Sequence, residues 1–213
     1  MLACLDGGKE VAVALTSDKM VRTFNSATGE PLRQIPDHDR VMSVVTLPGD
    51  RVATAGGPLP IRVWDVDSAR QLTKIDVRQP AYGLAATPDG KHLLYGASDK
   101  CVRLCEVESG AEVRRQSTGG IPWRIRVSPD GTLAGFASDT VFCLWDLETG
   151  DARTLAGPTM LADGLAFTAD GRHLLGASAD GGLYGWEVGS GRLVLKEPGA
   201  HAKAARSVAL SPD

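Results

Sequence analysis

The chain has 213 residues, 43% of them hydrophobic, enough to bury a substantial core, and no run of about eighteen apolar residues that could span a membrane. With 23 basic and 26 acidic residues its formal charge is -3, which gives no electrostatic reason to expect nucleic acid or an anionic membrane surface as a partner. Four cysteines, without a C-x-x-C pair, are too few for a disulfide scaffold and favour a reducing compartment, and a cytoplasmic location is expected.

Read from the N-terminus, the chain repeats itself. A turn glycine recurs at Gly8, Gly49, Gly90, Gly131 and Gly171, at intervals of 41, 41, 41 and 40. About fifteen residues after each comes a second mark: Phe24-Asn25, Trp64-Asp65, Cys105-Glu106, Trp145-Asp146 and Trp186-Glu187. The two marks divide the chain into repeats at approximately 1–40, 41–81, 82–122, 123–162 and 163–206, with a further strand at 207–213. A period in this range, several short β-rich segments and a Trp-Asp mark per repeat predict an all-β propeller of four-stranded antiparallel blades.

The fourth repeat shows the blade most plainly. Trp123–Val127 reads as strand a, Ser128-Pro129-Asp130-Gly131 as its exit turn, Leu133–Ala137 as strand b and Val141–Trp145 as strand c. Glu148-Thr149-Gly150 then turns the chain into strand d, Ala152–Leu155. Turns this short force neighbouring strands to be antiparallel and adjacent. Large residues at successive positions of strand c leave both sheet faces apolar, and stacking between blades buries both, with the Trp as a plate between them. Cys105 stands in the Trp slot of the third repeat and reads as a small buried hydrophobe.

At these residues the chain resembles the WD-repeat family of β-propellers: Val63-Trp64-Asp65, Leu144-Trp145-Asp146, the Pro-Asp-Gly turns at 88–90 and 129–131, and the segment His201–Asp213. The resemblance covers essentially the whole chain and implies a set of hydrogen-bonded groups in each blade: His before strand a, Ser or Thr in strand b, Asp between strands b and c, and the Trp. Asp18, Asp99, Asp139 and Asp180 match the Asp, but a histidine appears only at His38, one residue out of step, and at His201. No repeat carries the whole set, so apolar stacking must do most of the work. Family members of this kind are often bacterial, and a bacterial source is expected. Five repeats and one further strand a point to part of a seven-bladed open ring, which would need roughly 290 residues; a closed five-bladed ring is the alternative.

The residues offer little chemistry. Asp89, Asp130 and Asp170 recur as turn residues without a dense carboxylate loop for calcium, and His92 and His173 are copies of one position. No phosphate loop, His-x-x-x-His pair or G-x-S-x-G elbow appears, so no catalytic residue, metal or cofactor is assigned. What fails to repeat is more informative: Gly56-Gly57-Pro58-Leu59-Pro60 replaces a polar b–c turn, and Tyr82 and Trp123-Arg124 open two strands a. In this fold the b–c and d–a loops emerge on one face, so Leu59, Tyr82, Trp123 and Arg124 are candidates for a protein- or peptide-binding surface; the alternative is that Trp123 and Tyr82 tuck between blades as packing. The resemblance implies a non-catalytic interaction scaffold; the alternative is a propeller enzyme, hydrolase-like, or a sensor segment joined to a catalytic domain such as a protein kinase.

Overall fold

The computed structural model describes residues 2–15, 19–37, 41–56, 60–158 and 160–211. Asp18, His38 and Leu59 therefore lie outside the described residues. The strands form five four-stranded antiparallel sheets of the propeller-blade type, each running in chain order from strand a to strand d. The first holds β1 (Leu2–Leu5), β2 (Glu10–Leu15), β3 (Met20–Asn25) and β4 (Pro31–Pro36), and the second β5 (Ser43–Leu47), β6 (Arg51–Ala55), β7 (Ile61–Asp65) and β8 (Arg70–Ile75). The third holds β9 (Ala81–Ala86), β10 (His92–Ala97), β11 (Cys101–Glu106) and β12 (Glu112–Ser117), and the fourth β13 (Pro122–Val127), β14 (Leu133–Ser138), β15 (Val141–Asp146) and β16 (Ala152–Leu155). The fifth holds β17 (Ala162–Phe167), β18 (His173–Ser178), β19 (Leu183–Glu187) and β20 (Leu193–Glu197).

The chain divides into two compact units. Unit 1 is residues 1–98 and 104–113, and unit 2 is residues 99–103 and 114–213. Within unit 1, one cluster gathers Ala12, Val21 and Ile35 of the first sheet around Val52 and Trp64 of the second. A second joins Ile61, Val63 and Ile75 to Leu93, Tyr95 and Cys105. Cys105 is 1% exposed, the buried hydrophobe its slot predicts, and Tyr95 supplies bulk in the same cluster where a Trp is missing. In unit 2, Phe142, Leu144 and Leu155 of the fourth sheet pack on Leu165, Leu174, Tyr184 and Trp186 of the fifth.

Local turn chemistry explains why the repeat reads so clearly. In the turn after β9, Gly90 N donates to Thr87 O, the Thr87 hydroxyl donates to Asp89 Oδ1 at 2.6 Å, and His92 N donates to Thr87 Oγ1. Ser128-Pro129-Asp130-Gly131 and Thr168-Ala169-Asp170-Gly171 reproduce this bond for bond. Each turn glycine has positive φ (67°, 79° and 70°), which glycine adopts without steric cost. The hydroxyl, and then a backbone N–H, hold these three carboxylates below the usual carboxylate range.

The residue after the Trp slot caps the c–d turn. Asp65, Asp146 and Asn25 accept backbone N–H groups two or three residues ahead, whereas the longer Glu106 and Glu187 accept from the hydroxyls of Ser109 and Ser190. Beyond β20 no further ladder forms: Ser207–Ser211 carry no strand pairing, because no later strand among the described residues can partner them. The backbone of Ser207 and Val208 passes close to Gly164 of β17, so that a Cβ there would come within 2.8 Å of Ser207 Cα.

Candidate functional site

The site follows from how strand a begins. In the second sheet β5 pairs with β6 from Ser43 onward, and Met42 N also donates to the carbonyl of Ala55, the residue opposite Ser43, so two strand-a residues crowd one of strand b. In β9, β13 and β17 the register slips, leaving one extra residue on strand a: Tyr95 pairs with Leu84 but Ala97 with Ala81, and Ala137 pairs with Arg124 but Ser138 with Pro122. Such β-bulges re-aim a side chain away from its packing row. Counted back from the strand-a residues that pair opposite the Trp row, Tyr82, Trp123 and Asp163 share the place of Met42, while Val41 matches the buried Ala81, Pro122 and Ala162; Met42 and Tyr82 are half-buried and Trp123 is 38% exposed.

In unit 2 the d–a and b–c loops meet, as the fold predicts. Ala162 N donates to Asp139 O at 2.6 Å, Ala179 N donates to Leu161 O at 2.8 Å, and Gly120 lies so close to the Asp139 carboxylate that a Cβ would sit 2.1 Å from its Oδ2. Trp123 therefore opens β13 at the same end as Met160 and Leu161, which precede the neighbouring β17 and are 52% and 47% exposed. Between them Arg124 Nε meets Asp163 Oδ1 at 3.1 Å. Arg124 is thus an ion-paired link between adjacent strands with part of its guanidinium still in solvent. Two residues along β13, Arg126 reaches solvent along part of its length, while its guanidinium, crowded by the surrounding chain, donates to Ile125 O in a part-buried bond. Burial, and secondarily repulsion from Arg124, pulls its pKa below the usual guanidinium value.

Of the four residues the sequence nominates, Trp123 and Arg124 stand side by side in unit 2, Tyr82 belongs to unit 1, and Leu59 lies outside the described residues. Sequence reasoning missed Met160, Leu161 and Arg126. The signal for Arg126 was present: Ala85 and Ala166 hold its position in the neighbouring repeats.

The Trp-slot residues are structural. Trp64, Trp145 and Trp186 are buried, and Asp99, Asp139 and Asp180 organise the b–c turns. Asp99 is held below the usual carboxylate range chiefly by Arg103, which donates to both of its oxygens at 2.9 and 2.5 Å. Asp139 adopts positive φ (47°). Asp180 accepts the Tyr184 hydroxyl at 2.8 Å, and burial and this bond push the Tyr184 phenol up to about 12.

The second repeat corrects the expectation about the buried polar set. Trp64 Nε1 donates to Thr54 Oγ1 at 3.2 Å, the Thr54 hydroxyl donates to Asp37 Oδ2 at 2.6 Å, and Arg62 Nη1 meets Asp37 Oδ1 at 2.5 Å. Asp37 closes the chain from the Trp, and Arg62 supplies its counter-charge. Among the described residues no group of three His, Cys, Asp or Glu side chains is arranged to hold a metal ion.

Four-stranded sheets joined by short turns, repeating at 41 residues with a buried Trp ending strand c, define the blade class of repeat protein. No protein-family model matches the chain. It is similar to the WD repeat-containing protein SL1-17 of Schistosoma mansoni, with 30% identity over 69% of this chain and 50% of that protein. It is likewise similar to autophagy-related protein 16 of Arabidopsis thaliana (27% identity; 74% of this chain, 32% of that protein). WD repeat-containing protein 26 homolog of the same plant matches at 26% identity over 63% of this chain and 24% of its own length. The chain spans half or less of the length of these relatives.

Proposed function

We propose that this chain is a WD-repeat propeller segment acting as a non-catalytic interaction scaffold, which holds a protein or peptide partner against the loops where strands a begin. The observation that carries the reading is the bulge in β13, which lifts Trp123 out of the sheet's packing row and leaves it 38% exposed beside the Arg124–Asp163 pair. Large aromatic side chains displayed on a rigid framework contribute disproportionately to protein recognition, because they bury much area while losing few rotamers. The similarity to WD repeat-containing proteins supports the same reading.

Tyr82 and Leu59 are assigned to this function as the corresponding non-repeating residues of the third and second repeats. The test is affinity capture from the source organism's lysate with the full chain as bait, comparing wild type with Trp123→Ala by quantitative mass spectrometry. Proteins retained by wild type and depleted by the variant, with the two melting alike, support the scaffold reading. Identical captured sets count against it.

A further inference from the structure

Three features of the strand-a end of unit 2 converge on one kind of ligand. The first is an apolar patch of Trp123, Met160 and Leu161, all exposed. The second is a charge imbalance: β13 carries two guanidiniums, Arg124 and Arg126, and among the described residues only Asp163 answers them, through Arg124. The third is the setting of Arg126, which donates to the Ile125 carbonyl and stands near the like charge of Arg124. Its guanidinium stays charged at neutral pH, and an incoming carboxylate would relieve both its desolvation and its repulsion from Arg124. The equivalent positions in adjacent repeats are alanines, so this cation is no product of the repeat.

We propose that this end of unit 2 binds an extended peptide carrying a large apolar side chain and, about three residues away, an Asp or Glu. The apolar side chain rests on Trp123, Met160 and Leu161, and the carboxylate takes the planar fork of Arg126. Three residues of β13 separate Trp123 from Arg126, roughly 10 Å at about 3.3 Å per residue, which an extended peptide matches over the same number of residues. A single uncompensated guanidinium suits one carboxylate; a polyphosphate chain draws its affinity from several cations, and the chain as a whole is net acidic. The inference rests on the scaffold reading and gives its partner a chemistry.

The experiment uses the full chain and pools of short fluorescent peptides with Leu or Phe followed three positions later by Glu, Gln or Lys, the remaining positions randomised. Fluorescence polarisation is expected to rank the Glu pool about tenfold tighter than the Gln pool, with Lys weakest. Arg126→Gln removes that ranking and keeps the residual apolar binding, Arg126→Glu turns the preference towards Lys, and Trp123→Ala weakens every pool, all with melting temperatures close to wild type. Equal affinity for the three pools, still dependent on Trp123, overturns the acidic assignment and leaves the scaffold reading standing. Absence of Trp123-dependent binding in any pool overturns both. Tighter binding of a single-stranded oligonucleotide than of the Glu pool, lost in Arg126→Gln, also overturns the proposal.

Discussion

The second and fifth sheets bury the same tryptophan in the same slot by opposite means. Around Trp64 the chain builds a polar chain, from the indole N–H through Thr54 to Asp37 and Arg62. Around Trp186 it builds an aromatic cluster: the Phe142 ring lies 5.0 Å away at a 54° tilt, Tyr184 is stacked at 6.1 Å, and the indole N–H finds the Ala156 carbonyl at 2.7 Å. Trp145, in the fourth sheet, does without a partner for its buried Nε1 altogether. What the slot demands is therefore the plate; the polar dressing is optional. A polar network stabilises only when each member is satisfied, so the second sheet has more to lose from one substitution at its periphery.

The largest test of this contrast is Trp186→Ala, which removes a fully buried plate and is expected to lower stability by about 3–5 kcal/mol in chemical denaturation. Next comes Asp37→Ala. It removes the carboxylate that both the largely buried Arg62 and the Thr54 hydroxyl bond, at a cost of about 2–4 kcal/mol, although Asp37 reaches the indole N–H only through Thr54. A smaller loss would mean that the second sheet also rests on its apolar contacts alone.

Gly176→Ala probes the fifth sheet from the other side: its Cβ would stand 2.7 Å from Phe142 Cζ, so the aromatic cluster must shift, with a loss of about 1–3 kcal/mol. A matched substitution of the indole by a phenyl ring separates plate from polar partner. Trp145→Phe sacrifices no hydrogen bond and should cost less than Trp64→Phe, which leaves Thr54 without its donor.

The smallest effect is electrostatic and lies in the turns that both regions share in outline. Asp130 is held below the usual carboxylate range, first by the Ser128 hydroxyl. Its ionised form therefore favours the folded state above the ordinary carboxylate pKa of about 4, and the benefit fades as pH falls through that value towards the lower folded one. Asp130→Ala should melt below wild type at pH 6, with the gap narrowing by pH 3. The second sheet, whose a–b turn is Pro48-Gly49-Asp50 with neither hydroxyl nor carboxylate in those places, supplies no such contribution.

How much of this was legible depended on the distance over which each feature is encoded. The strands of the fourth repeat fall within a residue or so of their expected bounds, because Ser128-Pro129-Asp130-Gly131 carries its own hydrogen bonds and needs nothing from elsewhere. The exposure of Trp123 follows from a local bulge, whereas the sequence left packing between blades open as the alternative. Arg124 was read as an open contact; its partner Asp163 stands 39 residues away and becomes a neighbour only when β13 and β17 lie side by side. The Asp37–Arg62 pair escaped notice for the same reason, spanning 25 residues between a d–a loop and a strand c. Met160 and Leu161 sit in a loop without a motif, and their significance comes from what they stand beside.

The bulge at the head of strand a has a further consequence, for how such a protein changes over time. Because the extra residue is uncoupled from the rows that pack against neighbouring sheets, that position can be rewritten without disturbing the core. One chain already displays a methionine, a tyrosine, a tryptophan and an aspartate there, while the residue before it in each sheet, Val41, Ala81, Pro122 or Ala162, stays buried. New specificity can be acquired at these slots one substitution at a time, with the framework indifferent to the outcome.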